Sequence, residues 1–147
     1  MKSLKLIAIL LLITATRTFA QNGESAIVGK WESDKKDVRL EIFKQGDKYF
    51  GKYLWGNQIV EADGITSKKD VKNPDAKLRS RELVGIISLT DLKWDGDEYT
   101  GGRIYNAPSG DYYSCKAWVK EGKMYLRGYM GISLLGKTAT FHRYNLS

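Results

Sequence analysis

From residue 28 onward, apolar and polar positions alternate in short runs separated by turn residues. Val38, Leu40 and Ile42 alternate with Arg39 and Glu41. That two-residue period puts one strand face on a core and the other in water. Met124, Leu126, Gly128 and Met130 alternate with Tyr125, Arg127 and Tyr129, and Thr138 to Phe141 continues a β-prone run. The stretches QGDK (45–48), DGDE (95–98), APSGD (107–111) and EGK (121–123) combine Gly with Asp, Pro or Lys. Such clusters join antiparallel strands as hairpins. Strands are expected near 28–33, 38–43, 48–55, 83–93, 98–105, 111–119, 123–130 and 136–144. The leucines between Leu83 and Trp94 would suit a helix, but β-branched residues and Gly85 favour a strand. About eight sequential strands with short turns imply an all-β, antiparallel, up-and-down barrel, which closes on itself and so exposes no sheet edge. A two-sheet sandwich is the alternative. No internal repeat or low-complexity linker divides the chain.

One segment breaks the pattern. Residues 56–82 contain no strong strand, whereas a hairpin loop needs about two to five residues. Within it, DVKNPDAKLRSREL (70–83) is dense in charge and holds one of the chain's two prolines. Asn73-Pro74-Asp75 fits a tight turn, because Pro fixes φ and Asn or Asp bonds the nearby backbone. A short helical turn capped by Asp75 is expected after it. Loops this long in a small domain are functional or mobile, and this one could lie across a barrel mouth.

Composition adds an address. Lys2 and Lys5 precede an unbroken apolar run from Leu6 to Ile13, and Thr18 and Ala20 stand three and one residues before a cut at Gln21. This is the pattern of a secretory signal peptide over residues 1–20, with residues 21–147 as one domain. The apolar run falls short of the ~20 residues a spanning helix needs, so no stable membrane insertion is expected. Export to the periplasm or the extracellular space follows. Taking the leader's three cations from the total of 24 leaves 21 basic against 17 acidic residues, a net +4. Nucleic acid would require a clustered basic face, and the short SKKD and SDKKD runs are interrupted by acids. The single cysteine, Cys115, permits no internal disulfide, so packing must supply stability. A monomer or weak dimer is expected.

The pieces GKW (29–31), GDKYFGKYLW (46–55), DVKNPDAKLRSRELVGI (70–86), GGRIYNAPSGDYYSC (101–115), LRGYMG (126–131) and LLGKTATFHR (134–143) run in order along the chain. Together they resemble a bacterial family known as domain of unknown function 2147. The Asn-Pro-Asp element with its two arginines and the following Leu-x-Gly is the most specific of them. The chain departs from the family's usual pattern at Asn106-Ala107-Pro108, where Asp commonly precedes the proline, and at Phe141-His142-Arg143, where Trp-x-Arg is usual. The resemblance implies a small exported protein with a lipocalin-like barrel and no established activity. Gly29-x-Trp31 also looks like the opening motif of lipocalins and avidins. There the Trp closes one barrel end and a late arginine packs over it, which implies Trp31 and Arg143 as a cation–π pair.

Candidate chemistry is sparse. One histidine, His142, and one thiol build no zinc site, and no metal or cofactor is expected. No nucleophile elbow or glycine-rich phosphate loop occurs; GISLLG (131–136) has the wrong spacing. The best polar cluster is Asp70, Asn73, Asp75, Arg79 and Arg81 in the long loop. It would either hold an anionic group through paired arginine donors or pin the loop to the barrel. Aromatic content is more suggestive. Setting Phe19 aside with the leader, 4 Trp, 9 Tyr and 3 Phe remain. A small barrel is either filled by side chains or holds one small ligand, and aromatic walls are usual in such pockets. Tyr53, Trp55, Tyr105, Tyr113, Trp118 and Tyr129 are the candidate ligand-binding residues, although alternation alone does not say which point inward. Binding of a small apolar or amphipathic ligand in the cell envelope is the leading expectation. A filled barrel acting as a protein-interaction module, and a carboxylate-based enzyme using Asp70 and Asp75, are the alternatives.

Overall fold

The computed structural model describes residues 23–132 and 136–145; the expected leader lies outside them. Eight antiparallel strands follow one another around a closed barrel. They are β1 (Gly29–Ser33), β2 (Val38–Gln45), β3 (Lys48–Gly56), β4 (Ile87–Trp94), β5 (Tyr99–Asn106), β6 (Asp111–Lys120), β7 (Lys123–Tyr129) and β8 (Lys137–Arg143). Closure is made by β1 against β8, with Trp31 opposite Arg143 and Ser33 opposite Phe141. Every strand therefore has two neighbours, and no row of main-chain donors is left open. The up-and-down order puts three of the seven connections at one end and four at the other. The turns at 46–47, 95–98 and 121–122, with residues 23–28, form one end; the other carries turns 34–37 and 107–110, the β7–β8 connection and the long loop 57–86.

The first end is closed by packing. Trp31 is fully buried, and its indole N–H donates to the Ile27 carbonyl at 2.8 Å. Arg143 stands 3.9 Å over the Trp31 ring and donates to the carbonyls of Ala26 at 2.5 Å and Val28 at 2.6 Å. Tyr49 and Tyr99 meet edge to face at 5.0 Å, and the Tyr99 hydroxyl donates to the Glu24 carbonyl at 2.8 Å. Burial pushes the Tyr99 hydroxyl up to about 12, so it stays a donor. Ile42, Leu92 and Met124 fill the space above these rings.

Bulges decide which side chains face inward. Tyr99 pairs with Ala117 but Gly102 with Cys115, so β5 carries one residue more than β6. The extra residue is Gly101, at φ +71°, a left-handed conformation in which glycine carries no Cβ penalty. Tyr99, Gly102 and Ile104 then face the core while Tyr105 faces out. Asp91, at φ +62°, makes the matching bulge in β4 between Leu89 and Leu92. In β3 an extra residue opposite Arg39 and Leu40 turns Trp55 outward while Tyr53 stays inside.

Strand β4 begins at Ile87, later than the 83 expected from sequence. Leu83 belongs to the long loop instead: its N–H donates to the Lys68 carbonyl at 3.0 Å, and Lys69 bridges to Glu82. Cys115 faces the core and is fully buried, and burial alone pushes its thiol up to about 12. The thiolate is the reactive form. Native protein is expected to resist iodoacetamide at pH 8 and to react once unfolded in urea; rapid native labelling would contradict this placement.

Candidate functional site

Among the described residues, the end opposite Trp31 is open. A cavity of about 760 Å³ enters the barrel there. Inward positions of β2, β3, β5, β7 and β8 supply its wall: Leu40, Tyr53, Ile104, Leu126 and Phe141. Gly128 faces the same space and contributes no side chain; a Cβ there would meet Ile104 and Tyr113 no closer than 3.9 Å. The rim is polar. Turn 34–37 brings Asp34, Lys35 and Asp37, and Gln58, Asn106 and Lys137 complete it. Floor residues Leu40 and Phe141 are 2% exposed, whereas Ala139 and Lys137 on the upper part of β8 are exposed. The barrel is therefore packed in its lower half and concave in its upper half.

Rim carboxylates are held locally. Asp34 accepts from Lys123 at 3.0 Å and lies 2.9 Å from His142 Nδ1. These bonds, that from His142 first, hold its carboxyl below the usual range. Asp37 accepts from the Ser33 hydroxyl at 2.5 Å. Glu32, one strand position below the rim on the outer face, is held below its usual range chiefly by the Arg39 guanidinium at 2.6 Å.

The long loop carries a second polar arrangement. Asp70 is 1% exposed. Its Oδ2 accepts from Arg81 Nε at 2.9 Å and Asn73 Nδ2 at 2.8 Å, and its Oδ1 accepts from the Tyr105 hydroxyl at 2.5 Å. Burial, with Asp70 next, pushes the Tyr105 hydroxyl up and keeps it a donor. Arg79 Nε donates to the Asn73 carbonyl at 2.8 Å. Asp75 caps the 3-10 turn Ala76–Leu78 by accepting from the Lys77 N–H. Gly110 lets the loop seat on the β5–β6 turn: it sits at φ +77°, and a Cβ there would lie 2.1 Å from the Lys72 carbonyl oxygen. Of the five loop residues named from sequence, Asn73 and Arg81 bond Asp70, while Arg79 and the Asp75 N–H bond Asn73; each carboxylate is satisfied by its own partners, and Asp75 stands apart from Asp70. This is a brace between the loop and the outer face of β5.

The six aromatic candidates separate. Tyr53 lines the cavity, and its hydroxyl donates to the Tyr105 carbonyl at 3.1 Å. Burial raises the Tyr53 pKa, and the Ser88 hydroxyl is buried beside it without a hydrogen bond of ordinary geometry. Tyr113 pairs with Ile104, which gives it inward parity, and it is half-buried near the mouth. Trp55, Tyr105, Trp118 and Tyr129 are on the outer face. Trp55 sits under Arg39 at 5.0 Å and donates to the Gly64 carbonyl at 2.9 Å. Tyr105 lies beneath the loop, 4.8 Å from Tyr112. Trp118 stacks on Tyr125 at 5.4 Å, next to the inward pair Ala117 and Leu126. Tyr129 pairs with Ser114, beside the inward pair Cys115 and Gly128. Most of the wall is aliphatic. Alternation in β2 and β7 already marked Leu40, Leu126 and Gly128, but no local signal separated Lys137 or Gln58 from ordinary turn residues.

A family model described as an uncharacterized protein conserved in bacteria (DUF2147) matches residues 29–143. The chain belongs to this family. The DUF2147 match spans the whole barrel, from the first residue of β1 to the last of β8. A solved Helicobacter pylori protein, HP1028, described as belonging to the lipocalin family, is similar at 27% identity and a TM-score of 0.72, covering 81% of this chain and 83% of that one. No curated protein matches the sequence. The DUF2147 barrel is thus lipocalin-like, with its cavity at the end carrying the long loop. Among the described residues no helix is long and apolar enough to cross a membrane, and no group of three His, Cys, Asp or Glu could hold a metal ion.

Proposed function

We propose that the barrel mouth binds one small apolar or amphipathic molecule, and that the protein does so in the cell envelope or outside the cell. The observation that carries this reading is the cavity of about 760 Å³, with the aliphatic side chains of Leu40, Ile104 and Leu126, together with Tyr53 and Phe141, in its wall and a polar rim. Its volume lies in the ~300–1,000 Å³ range of small-molecule sites. The residues assigned to the site are Leu40, Tyr53, Ile104, Leu126 and Phe141, with Gln58 and Asn106 at the rim. The outer aromatics and the Asp70 brace serve structure, and the role is non-catalytic. Residues 1–20 direct export of a monomer; the test is an N-terminus at Gln21 in the envelope or extracellular fraction.

Gly128→Leu tests the site. The new side chain enters the cavity without backbone strain, because the Cβ has room and Gly128 is not left-handed. Native mass spectrometry of protein from the producing cell is expected to show a bound small molecule on the wild type and at least tenfold less on Gly128→Leu, with circular dichroism unchanged. A wild type without adduct would count against the reading.

A second reading, an interaction module, has one observation in its favour. Ile65, Val71, Met130 and Ile132 are 82%, 67%, 69% and 59% exposed, and all lie on connections at the open end. It expects a protein partner to protect these four side chains and Gly128→Leu to leave that contact intact.

A further inference from the structure

Charge around the mouth is uneven. Asp34 is compensated by Lys123 and His142. Asp37 is on the β2–β3 side, where its main-chain carbonyl accepts from Asn57 at 3.0 Å and its carboxylate from Ser33. Lys137, on β8 beside β1 in the barrel, has inward parity and stands directly across from Gly128. Lys137 and Lys35 both line the cavity, both are exposed, and neither has a carboxylate partner among the described residues. Among the described residues the rim thus presents two ammonium groups without a carboxylate partner, Lys35 and Lys137, against one carboxylate, Asp37, that is hydrogen-bonded by Ser33.

Below that rim the wall is mainly apolar, Leu40, Ile104, Leu126, Ala139 and Phe141, and the one tyrosine, Tyr53, has its hydroxyl bonded to the Tyr105 carbonyl. From Lys137 to the floor residue Phe141 is four residues along β8, about 13 Å of strand at ~3.3 Å per residue. Strand tilt of about 40° reduces this to about 10 Å of depth along the barrel axis. A cup of that depth suits an extended alkyl chain, and its apolar lining would exclude a charged group from the floor. A ligand with one charged end must enter tail first and leave the charge at the lysines.

Resting on the ligand-cup reading above, we propose that the ligand is a single-chain amphiphile with an anionic head, its tail against Leu40, Leu126 and Phe141 and its head held by Lys137 with support from Lys35. Carboxylate and phosphate heads share this chemistry, since an ammonium binds either as a point charge. Gln58 and Asn106, neutral amides on the far rim, supply donors without adding charge.

The test is isothermal titration at pH 8 and low salt with dodecanoate, dodecyl phosphate, dodecanol and dodecyltrimethylammonium, each below its micelle concentration or, for dodecanol, its solubility limit. One or both anions are expected to bind at least tenfold tighter than dodecanol, and the cation weakest. Which anion is tighter separates a fatty-acid source from a lysophospholipid-like one. In Lys35→Ala/Lys137→Ala, whose changes are at exposed positions and spare the core, the anion is expected to fall to the level of dodecanol. Lys137→Glu is expected to reverse the order of anion and cation. Equal binding of dodecanol and both anions by the wild type would overturn anion selection while leaving the cup intact. No binding of any of the four would overturn both.

Discussion

Asp70→Ala is expected to lower the unfolding free energy by about 3–5 kcal/mol, because it removes a buried carboxylate that accepts three hydrogen bonds, and bonds to a charged group contribute about 1.5–3 kcal/mol each without adding fully. The side chain is enclosed, and both oxygens are in use: Arg81 and Asn73 donate to one and Tyr105 to the other. Truncation strands the Tyr105 hydroxyl in a dry site and leaves Arg81 without its counter-charge; a buried unsatisfied polar group alone costs about 1–3 kcal/mol. Asp70→Asn keeps the shape but turns one acceptor into a donor facing donors, so it is expected to recover little. Tyr105→Phe removes a single hydrogen bond and is expected to cost about 1–2 kcal/mol. Urea unfolding provides the values, and limited proteolysis shows where the damage falls. The Asp70 variants are expected to be cut first within 57–86, because the brace is what fastens that loop to β5. A loss below about 1 kcal/mol for Asp70→Ala would mean that water already reaches the carboxylate.

Trp31→Ala is expected to cost as much, about 3–5 kcal/mol, for a different reason. Trp31 is fully buried at the seam where the last strand meets the first. Its removal opens a cavity at the closed end, frees the Ile27 carbonyl and takes the ring from under Arg143. Trp31→Phe keeps part of the packing and the cation–π face, and about half of the loss is expected to return. The comparison that matters is with Gly128→Leu at the other end, expected to change stability by under about 1 kcal/mol because its Cβ meets no close neighbour. Large loss at Trp31 with little at Gly128 is the signature of a barrel packed below and concave above. The reverse pattern would place the filled half at the wrong end.

Several of these features were readable before any coordinates. Alternation in 38–42 and 124–130 marks strands because one face is buried and the other wet, and Gly-rich turns locate the hairpins; both correspond to β2 and β7 and their connections. The long charged segment was visible as an interruption of the period, and Asn73-Pro74-Asp75 does lead into a capped turn. What alternation could not carry was parity across a bulge. Without the extra residue at Gly101, Tyr99 and Tyr105 would share a face; with it, Tyr105 leaves the core and becomes the partner of Asp70. One residue in β3 does the same to Trp55. The β-branched residues and Gly85 between Leu83 and Trp94 favour a strand from 83, but Leu83 is an apolar residue buried under a loop, which leaves the same mark on a sequence as burial in a sheet. The Asp70–Tyr105 contact joins positions 35 apart, and no short-range pattern encodes it. Lys137 reads as an ordinary turn lysine until β8 is registered against β7.

The most direct measurement is a titration of isotope-labelled protein with dodecanoate, followed by amide and methyl chemical shifts. Concentrated, saturable shifts are expected at Leu40, Ile104, Leu126, Ala139 and the backbone of Gly128, with little at Ile27, Ile42 and Leu92 around the closed end. Shifts confined to the outer face around Tyr112, Trp118 and Tyr125, or none at all, would contradict a ligand cup in the barrel mouth.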